Sequence, residues 1–152
     1  EYIREELGWN LLRNQSVEIR GSESDKITIL GIDNIKGSGQ GFSTIDRGEI
    51  KNAAEGTGGF RILLSHDPSS WETDIVGKTE IPLTLSGHTH AAQIRVFGWT
   101  PSSLMFSQTD GRYDIGGQTL YVNIGLGCTA PFRLGANPEI TVITLKTADN
   151  DR

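Results

Sequence analysis

The chain has 152 residues, 36% of them hydrophobic, with a formal charge of −5, a pI near 5.1 and a mean hydropathy of −0.30. That length suits one domain with a real core, and the acidic balance excludes a general nucleic-acid or membrane-surface binder, since both need a basic face. Its single cysteine, Cys128, excludes an internal disulfide and gives no sign of an oxidising compartment.

Residues 1–8 read as a helix already under way, stopped by Gly8. With no methionine at its start and no signal peptide, the chain is expected to be a processed or truncated product. Residues 9–13 and 17–20 flank Asn14-Gln15-Ser16 and predict a hairpin or strand pair with a short turn. Residues 26–32 predict another strand. The following stretch, 33–44, contains Gly37-Ser38-Gly39-Gln40-Gly41. A dinucleotide fingerprint needs its third glycine three residues after the second, with a helix opening there. Neither is present, so this stretch reads as a mobile surface loop. Asp46-Arg47-Gly48-Glu49 has the form of a capping box, Asp46 at the N-cap and Glu49 at N3, opening a short helix through Ala54.

Residues 61–64 carry no charge after Arg61 and predict a strand buried on both faces, ending in Ser65-His66-Asp67. Ser69-Ser70-Trp71-Glu72 predicts the cap of a brief crossover helix through Val76, ended by Gly77. Residues 80–85 predict a second apolar strand, closed by Ser86 and Gly87 and followed at once by His88-Thr89-His90. Beyond it, 94–99 reads as extended and 102–110 as a loop or hairpin arm. Asp110-Gly111 and Gly116-Gly117 are turn signals. Residues 119–124 alternate as a strand, and 139–146 as a half-exposed closing strand. Cys128, among glycines, reads as a small buried residue. The fold class is α/β, strand-rich with short helices, as one domain unit over 1–147 with a polar, fraying tail at 148–152. No apolar run approaches the roughly 20 residues that cross a bilayer.

All three histidines, His66, His88 and His90, stand at the ends of strand-like runs. Imidazole readily holds a transition metal at neutral pH, so this grouping points to a metal site. A strand, a crossover and a second strand between His66 and His88 fit one βαβ unit, which sets the two strands parallel. Ligand sites in such sheets form at the carboxyl ends of strands. His88 and His90 share a face if the backbone is extended, or diverge towards two neighbouring ions in an irregular loop; the spacing leaves both open.

Gly87-His88-Thr89-His90, preceded by Ser65-His66-Asp67 and followed by Gln93, resembles the C-terminal metal motifs of the calcineurin-like metallophosphoesterases. The run from Tyr121 to Gly127, with Arg133-Leu134-Gly135 and Pro138-Glu139-Ile140, is similar to the tail of the YkuE/YaeI-like bacterial branch of predicted phosphohydrolases. The resemblance runs over most of the chain. It implies the strand-rich C-terminal half of a metallophosphoesterase β-sandwich flanked by short helices. It also implies a phosphomonoester or phosphodiester hydrolase with two divalent ions (Mn, Fe or Zn) in the intact protein. His66 and His88 would hold one ion and His90 the other, with Ser65 and Gln93 standing behind these ligands. Two such ions about 3.5–4 Å apart can clamp a phosphoryl group and activate a water.

The departures from the family are specific. Its Asp-x-His, Gly-Asp and Gly-Asn-His motifs, which supply further ligands and the bridging aspartate, do not occur here. The chain is therefore expected to be a C-terminal half, inactive or nearly so alone, with the N-terminal half of the domain as its missing partner. Losing that half would bare an edge or face of the sheet and drive self-association. A single ion on three imidazoles and water is a known zinc arrangement, but the motif implies two ions, so the chain alone is expected to be metal-free. The alternative is a non-catalytic metal-binding or interaction domain with incidental histidines. An amidohydrolase, which also uses His-x-His, needs a barrel of about 250 residues and is excluded. The substrate is a phosphate ester, and the parent protein is one that N-terminal segments could tether or export.

Overall fold

The apolar runs at 27–30, 62–64 and 83–85 form the parallel centre of a sheet, although the strand expected to be buried on both faces is covered fully on one only, with Phe60 and Leu64 exposed. The computed structural model describes residues 2–21, 25–34 and 49–146. Within them lie β1 (Gln15–Arg20), β2 (Lys26–Gly31), β3 (Phe60–Leu64), β4 (Leu83–Ser86), β5 (Gly111–Ile115) and β6 (Gln118–Val122). They make one mixed sheet in the order β1-β2-β3-β4-β6-β5. β2, β3, β4 and β6 run parallel, with Leu30 beside Leu63, Leu63 beside Thr84, and Thr84 beside Leu120. β1 and β5 close the edges antiparallel. The predicted βαβ arrangement of β3 and β4 is therefore present.

The helices are short: α1 (Tyr2–Glu5) and α2 (Ile50–Ala54). Between β3 and β4 the crossover is a 3₁₀ turn, Pro68–Ser70, running into a π-helical turn, Trp71–Ile75. Its cap is Asp67 rather than the predicted serines, the carboxylate accepting from the Ser69 N–H at 2.8 Å. Buried Gln118 then pins the end of the crossover to β6. Its amide donates to the Ile81 carbonyl at 2.8 Å and accepts from the Gly77 N–H at 2.8 Å.

One face of the sheet carries the core. Leu30, Leu63, Leu120 and Val122 alternate onto it and meet Trp71, Ile75, Ile81 and Ala53; each of the larger side chains contributes about 1.5–3 kcal/mol on burial. By alternation the opposite face carries Ile19, Ile27, Ile29, Phe60, Ile62, Leu64, Leu85 and Tyr121. There Ile19, Phe60 and Leu64 are exposed. Residues 139–146 are tethered on this side by hydrogen bonds from Tyr121 to Glu139 and from Asn123 to Thr141. Burial works against ionising the Glu139 carboxyl, but the hydrogen bonds from Thr141 and Tyr121 outweigh it and hold its pKa below the usual value.

Several expectations are corrected. Residues 9–13 are not a strand, and the antiparallel partner of β1 is β2. Asn14 is left-handed (φ 52°) and its side-chain oxygen accepts from the Asp33 N–H at 3.0 Å, so it ties a junction instead of turning a hairpin. Residues 139–146 form no strand, and Ile140 and Val142 project into solvent at 77% and 87% exposure. Among the described residues, no strand pairs with them. Residues 111–115, which had been passed over between two turn signals, form β5. Glu49 takes the N-cap position of α2 without a side-chain capping bond. Cys128 is exposed. The Asp46 N-cap, the loop around Gly37–Gly41 and the 148–152 tail lie outside the described residues.

Candidate metal centre

Parallel pairing continues one step beyond the strands. The Ser65 N–H donates to the Leu85 carbonyl at 3.1 Å, Gly87 N–H to the His66 carbonyl at 3.0 Å, and Asn123 N–H to the Ser86 carbonyl at 2.8 Å. His66, His88 and Asn123 thus emerge side by side at the carboxyl ends of β3, β4 and β6, where open parallel sheets place ligands. The His66 and His88 rings meet edge to face, with centroids 5.0 Å apart and planes at 89°. Phe106 closes on His88 in the same manner at 5.4 Å. Burial pushes the His66 pKa below its ordinary value; the neighbouring His88 and His90 add to this and Asp67 opposes it. The shift favours the neutral ring, the form in which a ring nitrogen can donate an electron pair to a metal.

His90 faces elsewhere. Its Nδ1 lies 3.1 Å from the Ile124 carbonyl oxygen, on the loop that follows β6. The backbone there is unusual: His88 has φ 70°, and His90, Ala91, Ala92 and Gln93 have φ values of 49°, 50°, 48° and 60°. A left-handed turn of residues with Cβ atoms costs roughly 1–2 kcal/mol per residue, and such strain collects at functional sites. Specific contacts hold it. Thr89 Oγ1 accepts from the Ala91 N–H at 3.3 Å and donates to the Thr109 carbonyl, and Thr100 Oγ1 donates to the Ala91 carbonyl. Ala91 is itself fully buried against Ile124 and Ala136.

This strain gives a direct prediction. Ala92 is exposed, so Ala92→Gly loses no packing, while glycine adopts positive φ without penalty. Set against the extra freedom glycine gives the unfolded chain, the substitution is expected to stabilise by about 0.5–1 kcal/mol. The readout is a raised urea midpoint with an unchanged slope; a lowered midpoint would show that the turn is not strained.

The sequence-derived residues fall as follows. His66 and His88 come together, and His90 lies near them but is engaged with the loop after β6. Ser65 is buried and donates to the Asp67 carbonyl at 3.4 Å. Gln93 is buried and clamps a loop, its nitrogen donating to the Ala130 carbonyl at 2.8 Å and to Phe132, and its oxygen accepting from Ala130 N–H at 2.9 Å and from Thr129. Both therefore bond to backbone, not to an imidazole. Thr89 and Phe106 went unremarked in the sequence; the threonine's position between the two histidines is the one signal that could have marked it.

Among the described residues, no three His, Cys, Asp or Glu side chains converge closely enough to hold a metal ion. The donors fit a transition metal in kind, being imidazoles, but not in number. The Asp67 carboxylate, whose charge acts on His66, accepts from the Ser69 N–H through one oxygen. A cavity of about 430 Å³ lies at the other end of the strands, lined by Gly59, Phe60, Glu80, Pro82 and Gln118 among others. Glu80 is its one ionisable group, and none of the histidines reaches it.

Over 148 residues the chain is 32% identical to "Uncharacterized metallophosphoesterase YkuE" of Bacillus subtilis (strain 168), a match covering 93% of this chain and 48% of that protein. An "Uncharacterized metallophosphoesterase" of Aquifex aeolicus is 30% identical, with 94% and 53% covered. "Transmembrane protein with metallophosphoesterase domain" of Bos taurus is also 30% identical, with 90% and 32% covered. The chain spans about half the length of the two bacterial relatives. No protein-family model matches it, and no solved structure does. Among the described residues, no helix is long and apolar enough to cross a membrane.

Proposed function

The chain belongs with the metallophosphoesterases, matching about half of each bacterial relative over more than nine-tenths of its own length, and on that premise we propose that it is the C-terminal part of a metal-dependent phosphohydrolase domain. In this reading His66 and His88 supply two nitrogen ligands to one ion of a dinuclear centre, His90 supplies one to the other, and the remaining ligands come from the part of the domain that the chain lacks. The observation that carries it is the meeting of the His66 and His88 rings, 5.0 Å apart, at the carboxyl ends of β3 and β4. Bound divalent ions supply charge stabilisation and an activated water for hydrolysis of a phosphate ester. The chain's own part is to hold donor nitrogens in place at the mouth of the sheet, with Phe106 against His88 limiting water on that side.

The absence of three converging ligands among the described residues favours no hydrolysis by the chain alone. The partner in this reading is the other half of the domain, laid over the half-covered apolar face that carries Ile27, Ile29, Ile62 and the exposed Leu64. Without it that face drives the chain to self-associate.

The test compares the chain alone with the longer parent protein, using p-nitrophenyl phosphate, bis(p-nitrophenyl) phosphate, elemental analysis and light scattering. The chain alone is expected to be metal-free, inactive and larger than a monomer. The parent should carry about two divalent ions and hydrolyse at least one of the esters. In the parent, His66→Ala and His88→Ala should each cost more than about 100-fold in activity, since even residues behind metal ligands cost 10–100-fold. Robust turnover by the chain alone, a clean monomer at high concentration, or variants with unchanged metal content and activity would overturn the reading.

A further inference from the structure

Arg133 is a residue to which neither the resemblance nor the metal reading gives a role, and its surroundings are unusual for a cation. Its guanidinium donates to four backbone carbonyls: Ala136 at 2.9 Å, Ile124 at 3.0 Å, Gly125 at 3.2 Å, and Gly127. The nitrogen that gathers the last three also lies 3.5 Å from His90 Nδ1. The cation is thus turned into its own loop, committed to backbone oxygens. The fork sets one terminal nitrogen on Ala136 and the other among the remaining three carbonyls, a division over two fixed nitrogens that a single ammonium cannot reproduce.

The oxygen that Arg133 shares with the histidine is the Ile124 carbonyl, 3.1 Å from His90 Nδ1. A bare Nδ1 would set its lone pair against that of the carbonyl. A protonated Nδ1 instead makes a hydrogen bond. The partner of one ring nitrogen decides which nitrogen keeps its lone pair, so the pair remains on Nε2. We infer that Arg133 is a positioning residue: by drawing the carbonyls of Ile124, Gly125 and Gly127 together it aims the Ile124 oxygen at His90 and selects the Nδ1–H tautomer. The inference rests on the proposed function only in taking Nε2 as the nitrogen that meets an ion. Gly125, at φ 71°, gives the loop the turn it needs, and its N–H is held by the Asn123 side-chain oxygen at 2.6 Å.

The test is a long-range ¹H–¹⁵N spectrum of the imidazoles in the metal-free 152-residue chain. Wild type should show His90 protonated on Nδ1, with its two ring nitrogens widely separated in shift. In Arg133→Met, of similar length and no charge, that separation should collapse towards a mixture of tautomers, while the His66 signals stay in place. Arg133→Lys should collapse it too, because restored charge without the fork does not gather the carbonyls. His90 protonated on Nε2 in wild type would overturn the inference without any variant. So would unchanged His90 shifts in either variant. No metal enters the measurement. A failure of the dinuclear reading therefore leaves this result standing, and a failure here leaves that reading untouched.

Discussion

Gly135→Ala is expected to destabilise the chain by about 2–5 kcal/mol and to disorganise the loop that holds His90. A Cβ at this position would come 2.1 Å from the Arg95 carbonyl oxygen and 3.2 Å from its carbon. Those atoms are backbone and cannot swing aside. They belong to the seam that joins the left-handed turn to the later loop, where the Arg95 N–H donates to Leu134 at 2.7 Å and the Leu134 N–H to Gln93 at 2.8 Å. The glycine also has φ 70°. Left-handed strain of roughly 1–2 kcal/mol and overpacking of about 1–3 kcal/mol therefore act together. Gly98→Ala is the control, since Gly98 has φ 83° but open space around its Cβ position, and it should cost about 1 kcal/mol. Urea midpoints at one fixed protein concentration compare the two. A Gly135→Ala cost no greater than that of Gly98→Ala would show that the close approach to Arg95 is not a constraint.

The parts of the fold that were legible in the sequence are those written in local pattern. Residues 61–64 and 80–85 are apolar runs bounded by turn residues, the stretch between them has the length of one crossover, and from these β3 and β4 follow as parallel neighbours. The positions of His66 and His88 at their ends follow in turn. What stayed hidden depends on partners distant in sequence. Gln93 trails His90 in the sequence, but no local pattern announces the hydrogen bonds of its amide to residues 129–132. Arg133 belonged to a recognised tail motif, but its hold on Ile124 is a backbone contact that no spacing announces. The run 139–146 alternates as a strand should, and alternation is indifferent to whether a neighbouring strand exists. Its Ile140 and Val142 are accordingly exposed.

The crossover between β3 and β4 is what keeps the two histidines in register, and Trp71 is its anchor. The indole is 1% exposed and packs with Leu30, Leu63, Ile75, Ile81 and Leu120. Trp71→Ala should therefore cost about 3–5 kcal/mol, a large share of the roughly 5–15 kcal/mol that holds a domain folded. Its indole N–H, however, is buried without a hydrogen-bond partner. An unsatisfied donor of that kind costs about 1–3 kcal/mol, so Trp71→Phe gains back part of what its smaller ring loses in packing. The phenylalanine variant should fall within about 1.5 kcal/mol of wild type, the range of volume-tolerant core exchanges, and should leave the His66 and His88 imidazole spectra in place. The alanine variant should disturb both, because the buried indole anchors the crossover that begins at Asp67 and Pro68, directly after His66; the Trp71 backbone N–H on the Pro68 carbonyl is kept in both variants. Equal losses in the two variants would mean that the indole N–H finds a partner in solution. An alanine variant that keeps both stability and the histidine spectra would mean that the sheet alone, without the crossover, holds the site together.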